Sequence, residues 1–155
     1  MEKWFERTII GRYTAEREKQ FFGHYLERFA PCGVQTVVQQ GGEWLRSSEN
    51  VVVVPCDVLM TAEAMAWESH SIDVLLMPHS HETAALTQVL HEASRVLKPE
   101  GRLVLTGFNP KSLWFFSKWF DGTRLPKKEH CLTLPALKQR LADLDFEVEF
   151  GKFMV

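Results

Sequence analysis

The sequence predicts an α/β fold with a mainly parallel sheet and flanking helices. Strand-like and helix-like segments alternate at short intervals along the chain, which is typical of this class. Residues Val51–Val54 are four consecutive valines, a run that favours a strand buried on both faces. The length of 155 residues is that of one domain. We therefore expect a single domain over residues 1–155, with an N-terminal helical region at 1–33 and an α/β core at 34–155.

The composition excludes several classes of function. Hydrophobic residues make up 45% of the chain and charged residues 25%, which is the balance of a folded globular protein. The net charge of −2 provides no basic surface, so nucleic-acid binding driven by charge is not expected. The longest apolar stretch outside the strands, Leu113–Phe116, is too short to span a membrane. Three cysteines without a CxxC pair indicate reduced thiols, and hence a cytoplasmic protein.

The first predicted element is a helix from Thr14 to about Phe29. Thr14 belongs to the residue types that cap helix starts, and the sequence 31–33, Pro-Cys-Gly, ends the helix. Apolar side chains recur within it at helical spacing, at Phe22, Tyr25, Leu26 and Phe29.

Four further segments are predicted to be strands of the core. They are short and apolar, rich in β-branched or leucine side chains, and each is bounded by glycine, proline or a polar turn. In chain order they are Thr36–Gln40, which runs into Gly41-Gly42, then Val51–Val54, then Ile72–Met77, which ends at Pro78, and Arg102–Thr106.

Helices are predicted between and after these strands. The clearest is the amphipathic segment Thr83–Leu97, which is broken by the Lys-Pro-Glu-Gly sequence at 98–101. The last helix follows Thr133 as its cap, with Pro135 in its first turn. Its inward-facing residues are expected to be Leu134, Leu137, Leu141 and Leu144. The remaining predicted elements are short helices at Glu43–Ser48 and Leu113–Phe120, and a closing strand at Phe146–Met154.

Parallel sheets bind ligands outside the carboxyl ends of their strands. The residues that directly follow the predicted strands are therefore the candidates for a functional site. They are Gly41, Gly42, Asp57, the segment Pro78-His79-Ser80-His81-Glu82 and the segment Gly107-Phe108-Asn109-Pro110.

Two segments carry a resemblance to a known family. They are Ser71–Leu76, which begins Ser-Ile-Asp, and Leu90–Leu105, which contains Arg-Val-Leu-Lys-Pro-Glu-Gly. This order resembles the second half of a class I S-adenosylmethionine-dependent methyltransferase domain. The ending Gly107–Trp114 is similar to an uncharacterised bacterial branch of that superfamily, of the methyltransferase type 11 kind. The resemblance implies a Rossmann-like methyltransferase fold, with S-adenosyl-L-methionine as cofactor and a small molecule or a protein as methyl acceptor.

The first half departs from the family pattern. The family has an acidic residue followed by G-x-G-x-G, whereas this chain has Val37–Trp44, with glutamine in place of the acid. The resemblance implies that Gly41 and Gly42 approach the methionine part of the cofactor; alternatively, the pair forms only a turn. The interval from Gly42 to Asp57 is too short for a complete helix, strand, helix and strand, so one unit of the fold is expected to be shortened.

The resemblance also assigns cofactor roles to residues after later strands. Asp57 occupies the place where the family has an acid that accepts a hydrogen bond from the adenine amino group, and Val58 lies near the ring. The alternative is an aspartate that caps the next turn. Pro78 and His79 are placed beside the transferable methyl group.

His79 is the candidate general base toward an acceptor, because an ordinary histidine titrates near pH ~6.5. His81 and Glu82 are candidates to assist it or to form a metal pair, although no third ligand is identified and no metal is predicted. Alternatively, Ser80 or Thr83 caps the following helix and the histidines are merely exposed. Asn109 is a candidate to orient the substrate, while Asn-Pro is also a common turn.

Three functional hypotheses follow. The first is a methyltransferase acting on an unknown acceptor. The second is a catalytically degenerate methyltransferase fold that serves as a binding or interaction module. The third, weaker hypothesis is a metal-dependent hydrolase that uses His79 and His81.

The family sheet ordinarily ends in a two-stranded hairpin, so a fold shortened at the C-terminus, with an open sheet edge and a possible homodimer, is also expected.

Overall fold

A computed structural model describes residues 2–29, 36–42, 51–54, 56–112, 128–151 and 153. Two helices come first, of which the sequence predicts only the second, and strands and helices then alternate as predicted. In chain order the elements are helix α1 (Glu2–Arg7), helix α2 (Ile9–Phe29), strand β1 (Val37–Gln40), strand β2 (Val52–Val54), strand β3 (Ile72–Pro78), helix α3 (Leu86–Val96), strand β4 (Leu97–Thr106), a 3-10 turn (Lys128–His130) and helix α4 (Leu134–Ala142).

The described strands form one sheet in the order β2-β1-β3-β4, and every neighbouring pair is parallel. Val38 of β1 is level with Val52 of β2 on one side and with Leu75 of β3 on the other, and Leu75 is level with Leu103 of β4. The α/β prediction with a parallel sheet is confirmed. Because the chain leaves β1 toward β2 and then returns to the opposite side of β1, the order reverses between β1 and β3. That reversal is where open parallel sheets bind ligands.

Both faces of the sheet are covered, which explains why its strands are apolar without alternation. Helix α2 packs on one face and helix α3 on the other. The first face buries Phe22, Tyr25, Leu26, Val37, Val51, Val53, Val74, Leu76 and Val104. The second buries Val38, Val54, Met65, Ile72, Leu75, Met77, Val89, Ala93, Val96 and Leu97.

The N-terminal helix is longer than the sequence predicts. Helix α2 begins at Ile9, so Thr14 lies inside it, and the prediction that Thr14 is the cap is wrong. The Thr14 hydroxyl donates to the carbonyl of Ile10 at 2.9 Å, one helical turn back. The Thr14 hydroxyl is therefore hydrogen-bonded within the helix, and Thr14 marks neither end of α2.

Helix α3 begins at Leu86, three residues after the predicted start. Its first cap position is Ala85, and no side chain caps it. The Thr83 hydroxyl accepts from the Ala85 backbone N–H at 3.2 Å, while the Ser80 hydroxyl donates to backbone carbonyls elsewhere. Strand β4 begins directly after α3, at Leu97 rather than at Arg102.

The C-terminal part differs most from prediction. Helix α4 has Pro135 in its first turn as expected, yet of its four predicted inward-facing leucines only Leu141 is buried, and the others are half-buried. The predicted strand Phe146–Met154 is wrong over residues 146–151 and 153, which contain no strand. Side chains hold this segment instead: Glu149 accepts from Arg102 at 2.8 Å, and the Phe150 ring lies 6.4 Å from the Tyr25 ring.

Two predicted short helices, Glu43–Ser48 and Leu113–Phe120, lie outside the described residues. Among the helices that the structure does describe, none combines the length and apolar character needed to cross a bilayer.

Candidate functional site

The turn after β1 packs against the turn after β3, at the point where the strand order reverses. Gly41 and Gly42 both have left-handed backbones, with φ of +80° and +66°. A Cβ on Gly41 would lie 2.6 Å from the Ser80 hydroxyl oxygen, so only glycine fits there. The Ser80 hydroxyl donates to the carbonyl of Gln40 and thereby joins the two turns. The Gly41-Gly42 turn and the segment that begins at Pro78, both of which the sequence predicts as site residues, are therefore adjacent in space.

The glutamines that end β1 brace the glycine turn. The Gln39 amide nitrogen donates to the carbonyls of Gly41 and Gly42, at 3.1 and 2.8 Å. The side-chain oxygens of Gln39 and Gln40 are buried and have no hydrogen-bond partner among the described residues. Since buried polar atoms are normally paired, these two oxygens are acceptors suited to a ligand's N–H groups.

Asp57 follows β2 and folds back onto it. Its carboxylate accepts from the Val53 backbone N–H at 2.7 Å, and its own N–H donates to the Val53 carbonyl at 2.7 Å. This is the turn-capping arrangement that the sequence allows as the alternative reading. Asp57 is exposed and the next residue, Val58, is half-buried. The contact of Asp57 with an adenine stays a prediction.

His79 is the most constrained side chain of the site. It is 4% exposed, and its backbone is left-handed, with φ of +57°, which is costly for any residue except glycine. Its Nδ1 lies 2.8 Å from Oε2 of Glu82 and its Nε2 lies 2.9 Å from Oε1 of Glu18 on α2. The rings of Phe5 and Phe108 lie 5.1 and 4.4 Å from the imidazole. The imidazole is thus enclosed by two carboxylates and two aromatic rings.

This environment fixes the charge of His79. Burial alone disfavours the imidazolium, but the attraction of Glu18 and its hydrogen bond, together with those of Glu82, overcome burial and raise the pKa of His79 to about 9. At neutral pH both ring nitrogens therefore carry protons and donate to carboxylates. The interpretation of His79 as a general base lacks the free ring nitrogen that a base requires, so the geometry favours a positioning role.

His81 is buried as well, so the alternative in which both histidines are merely exposed is wrong. Burial, and next to it the charge of His79, outweigh the attraction of Glu82 and lower the pKa of His81 to about 4. Glu82 completes the cluster, because its Oε1 accepts from the backbone N–H of Phe108. The described residues contain no group of three His, Cys, Asp or Glu side chains placed to hold a metal ion.

A cavity of about 950 Å³ opens beside this cluster. It lies between α2, β4, α4 and the segment that follows α4. The residues at the carboxyl ends of β3 and β4 that line it include His79, His81, Thr106 and Asn109, and Glu18 lines it from α2. His79 thus stands between the joined turns on one side and the cavity on the other.

Asn109 borders the cavity but also forms a turn. Its side-chain oxygen accepts from the backbone N–H of Lys111 at 3.0 Å, and its carbonyl accepts from that of Ser112 at 3.0 Å. The turn reading of Asn-Pro is therefore realised, and contact between Asn109 and a substrate stays a prediction.

Sequence reasoning missed Glu18 and Thr106. The pattern does carry a signal for Glu18, because it lies one turn before Phe22 and two turns before Tyr25 on the buried face of α2. A carboxylate on an otherwise apolar stripe is seldom left unpaired, so it points to a buried partner. No comparable signal distinguishes Thr106 from an ordinary strand threonine.

Comparisons with known proteins agree with the fold. Residues 34–105 match the family model described as a methyltransferase domain. No curated protein sequence gives a significant match.

Solved structures share the fold. A protein from Thermotoga maritima, described as a SAM-dependent methyltransferase and possible histamine N-methyltransferase, is 18% identical with a TM-score of 0.55, over 88% of this chain and 79% of that chain. A SAM-dependent methyltransferase from Aquifex aeolicus is 16% identical with a TM-score of 0.54, over 78% and 77%. The YcgJ protein from Bacillus subtilis is 15% identical with a TM-score of 0.53, over 79% and 66%.

The chain therefore has the Rossmann-like fold of the class I S-adenosylmethionine-dependent methyltransferases, and the predicted resemblance to that superfamily is confirmed. The segment that matches the methyltransferase domain, residues 34–105, contains the four described strands up to Leu105.

Proposed function

We propose that this domain binds S-adenosylmethionine across the carboxyl ends of β1 and β3 and transfers its methyl group to an acceptor held in the adjacent cavity. The observation that carries the proposal is the packing of the Gly41-Gly42 turn against Pro78 and Ser80, at the reversal of strand order.

The residues present suit the cofactor. Gly41 and Gly42 offer backbone without side chains, so a ligand can approach closely. Consecutive side chains of a strand point to opposite faces, so one of the two unpaired oxygens, on Gln39 or on Gln40, is proposed to accept from the ammonium of the cofactor's amino-acid part, where the family has a carboxylate. Asp57 and Val58 are proposed to face the adenine, and Pro78 is proposed to lie beside the transferable methyl group.

When bound, the cofactor supplies a methyl group that is already activated by its positive sulfur. The protein therefore needs mainly to hold donor and acceptor in line and to exclude water. His79 is proposed to do this from the centre of the cluster, because its two N–H groups fix the carboxylates of Glu18 and Glu82. Asn109, on the rim of the cavity, is proposed to orient the acceptor.

Calorimetry with S-adenosylmethionine and S-adenosylhomocysteine tests the cofactor site. We expect both to bind the native chain, and binding to fall at least about tenfold in Gly41→Ala, whose methyl group collides with Ser80. Gly23→Ala is the matched control, because a Cβ there meets nothing within 4 Å. Absence of heat and of a thermal shift at millimolar ligand contradicts the proposal and leaves the interaction-module hypothesis.

A further inference from the structure

The inner end of the cavity carries buried polar atoms that lack partners. Oε2 of Glu18, Nδ1 of His81 and Oγ1 of Thr106 are buried and accept or donate no hydrogen bond among the described residues. The three side chains are 2%, 4% and 5% exposed, and all three line the cavity. Folded proteins rarely leave such atoms unpaired, so their convergence on one cavity indicates the site of a polar ligand group.

The net charge of the cluster indicates which kind of polar ligand group the cavity can bind. His79 is an imidazolium between the carboxylates of Glu18 and Glu82, and His81 is neutral, so the four side chains together carry a net charge of −1. Both oxygens of Glu82 are engaged, one by His79 and one by the Phe108 N–H. Of the four carboxylate oxygens in the cluster, Oε2 of Glu18 alone has no hydrogen-bond partner among the described residues, and Glu18 lines the cavity.

We propose that the cavity binds a small molecule with an apolar body and a protonated amine, whose ammonium donates to Oε2 of Glu18. A cation neutralises the buried charge, and a charge-assisted hydrogen bond to a carboxylate is stronger than a neutral one. A carboxylate or phosphate is repelled. The apolar body would lie against Phe21 and Val104, which also line the cavity and belong to the face of the sheet that α2 covers. Four basic residues line it too. Lys98 and Arg102 form ion pairs with Asp73 and Glu149, and the side chains of Arg17 and Lys138 are exposed.

The inference rests on the proposed function in one respect, which is that this amine is the methyl acceptor. The ammonium first gives a proton to the Glu18 carboxylate and becomes a neutral amine. Its nitrogen lone pair then forms the new bond to the methyl carbon while the carbon–sulfur bond breaks, with the bonding pair remaining on sulfur. The products are the N-methylated ammonium and S-adenosylhomocysteine, and the proton on Glu18 passes to solvent.

Calorimetry with 2-phenylethylamine, without cofactor and near neutral pH, tests the site. Its matched neutral and anionic probes are 2-phenylethanol and 3-phenylpropanoate. We expect the amine to bind at least about tenfold more tightly than the alcohol, and the anion not to bind. Glu18→Gln keeps the hydrogen-bond acceptor for His79 but removes the charge, and should weaken the amine at least about tenfold. Glu16→Gln, exposed on the same helix, should change nothing.

A second variant guards against misfolding of Glu18→Gln. Thr106→Val retains the shape of the side chain and removes its hydroxyl, and should weaken the amine several-fold with an unchanged urea midpoint. Equal affinity for amine and alcohol, or an unchanged amine affinity in both variants, overturns the inference.

A separate titration with S-adenosylmethionine distinguishes the two proposals. If the cofactor binds and the amine does not, the proposed function stands and this inference fails. If the amine binds through Glu18 and the cofactor does not, the amine site is supported and its role as methyl acceptor is overturned together with the proposed function.

Discussion

Nε2 of His79 lies 2.9 Å from Oε1 of Glu18, and the two residues are separated by 61 positions in the chain. This contact ties the residue that follows the central strand β3 to the N-terminal helix α2. It helps to raise the pKa of His79 to about 9, so that the imidazole carries a positive charge at neutral pH. The N-terminal helix is therefore part of the site as well as part of the core.

The first prediction concerns alkaline pH. His79 holds its proton up to about pH 9 in the folded chain, whereas an ordinary histidine loses it near 6.5. Between these values the folded chain binds the additional proton, so the free energy of unfolding should fall as pH rises from about 6.5 to 9, by up to about 3 kcal/mol. Urea midpoints measured across this range check it. A His24→Gln variant, altered at an exposed histidine, should show the same decline; a flat native profile contradicts the assignment.

The second prediction concerns acid pH and has the opposite sign. His81 stays neutral in the folded chain down to about pH 4, while the unfolded chain takes up the proton near 6.5. The free energy of unfolding should therefore fall as pH drops from about 6.5 to 4. Asp73 and Glu92, whose pKa values are lowered by hydrogen bonds and ion pairs in the folded chain, contribute to the same limb, so the measurement is the difference between the native chain and His81→Gln. We expect the variant to have the shallower acid limb, and identical slopes refute the explanation.

The third prediction concerns the close approach of Gly107 to the cluster. A Cβ at this position would lie 2.8 Å from the His81 ring and 3.1 Å from Oε1 of Glu82. Gly107→Ala should displace both side chains and destabilise the fold by about 1–3 kcal/mol. Gly23→Ala, with no atom near its added methyl, should be neutral or stabilising by up to about 1 kcal/mol. Equal urea midpoints for the two variants would mean that the His81 and Glu82 side chains move aside at little energetic cost, which contradicts the prediction.

The fourth prediction separates the two readings of Asp57. Asp57→Ala removes the acceptor of the Val53 N–H, and should lower the free energy of unfolding by about 1 kcal/mol. If Asp57 also holds the adenine, affinity for S-adenosylmethionine should fall at least about fivefold when measured well below the unfolding transition. Asp143→Ala, exposed at the end of α4, serves as the control. An unchanged cofactor affinity would mean that Asp57 only stabilises the turn after β2 and does not contact the adenine.

The fifth prediction concerns Arg95, from the segment that carries the family resemblance. Its guanidinium donates to the carbonyls of Met65 and Trp67, both at 2.9 Å, and to both oxygens of Glu92. It therefore secures the loop before β3 and touches no site residue. Arg95→Leu should cost about 1–3 kcal/mol of stability while cofactor affinity stays unchanged. Arg140→Leu, exposed on α4, should do neither; a loss of affinity in Arg95→Leu would argue for a direct functional role.

The sequence was sufficient to predict the sheet because its strands are short apolar runs whose burial on both faces leaves little ambiguity. Val51–Val54 and Ile72–Met77 lie within one residue of the strands found. The prediction of a strand at 146–154 was wrong because an alternating polar and apolar pattern is also compatible with an irregular segment that only its side chains attach to the rest of the fold. The Arg102–Glu149 pair and the Phe150 ring provide that hold without a backbone ladder.

The site was only half predictable. Gly41, Gly42 and His79 were identified because they follow strands, and position along a strand can be read from local pattern. The partners of His79 could not be found in this way, because the approach of Glu18 depends on how α2 docks against the finished sheet. The charge state of His79 depends in turn on that docking, so a role inferred from an ordinary histidine pKa could not anticipate it.

The distance along the chain between Glu18 and His79 has a consequence for biosynthesis. During synthesis α2 leaves the ribosome well before β3 has been made. The Glu18 carboxylate therefore stays in water until the strands have been made and paired. Only then can the ion cluster be desolvated. Ligand binding should accordingly be the last property that a refolding chain regains, after its circular dichroism has already returned to the native value.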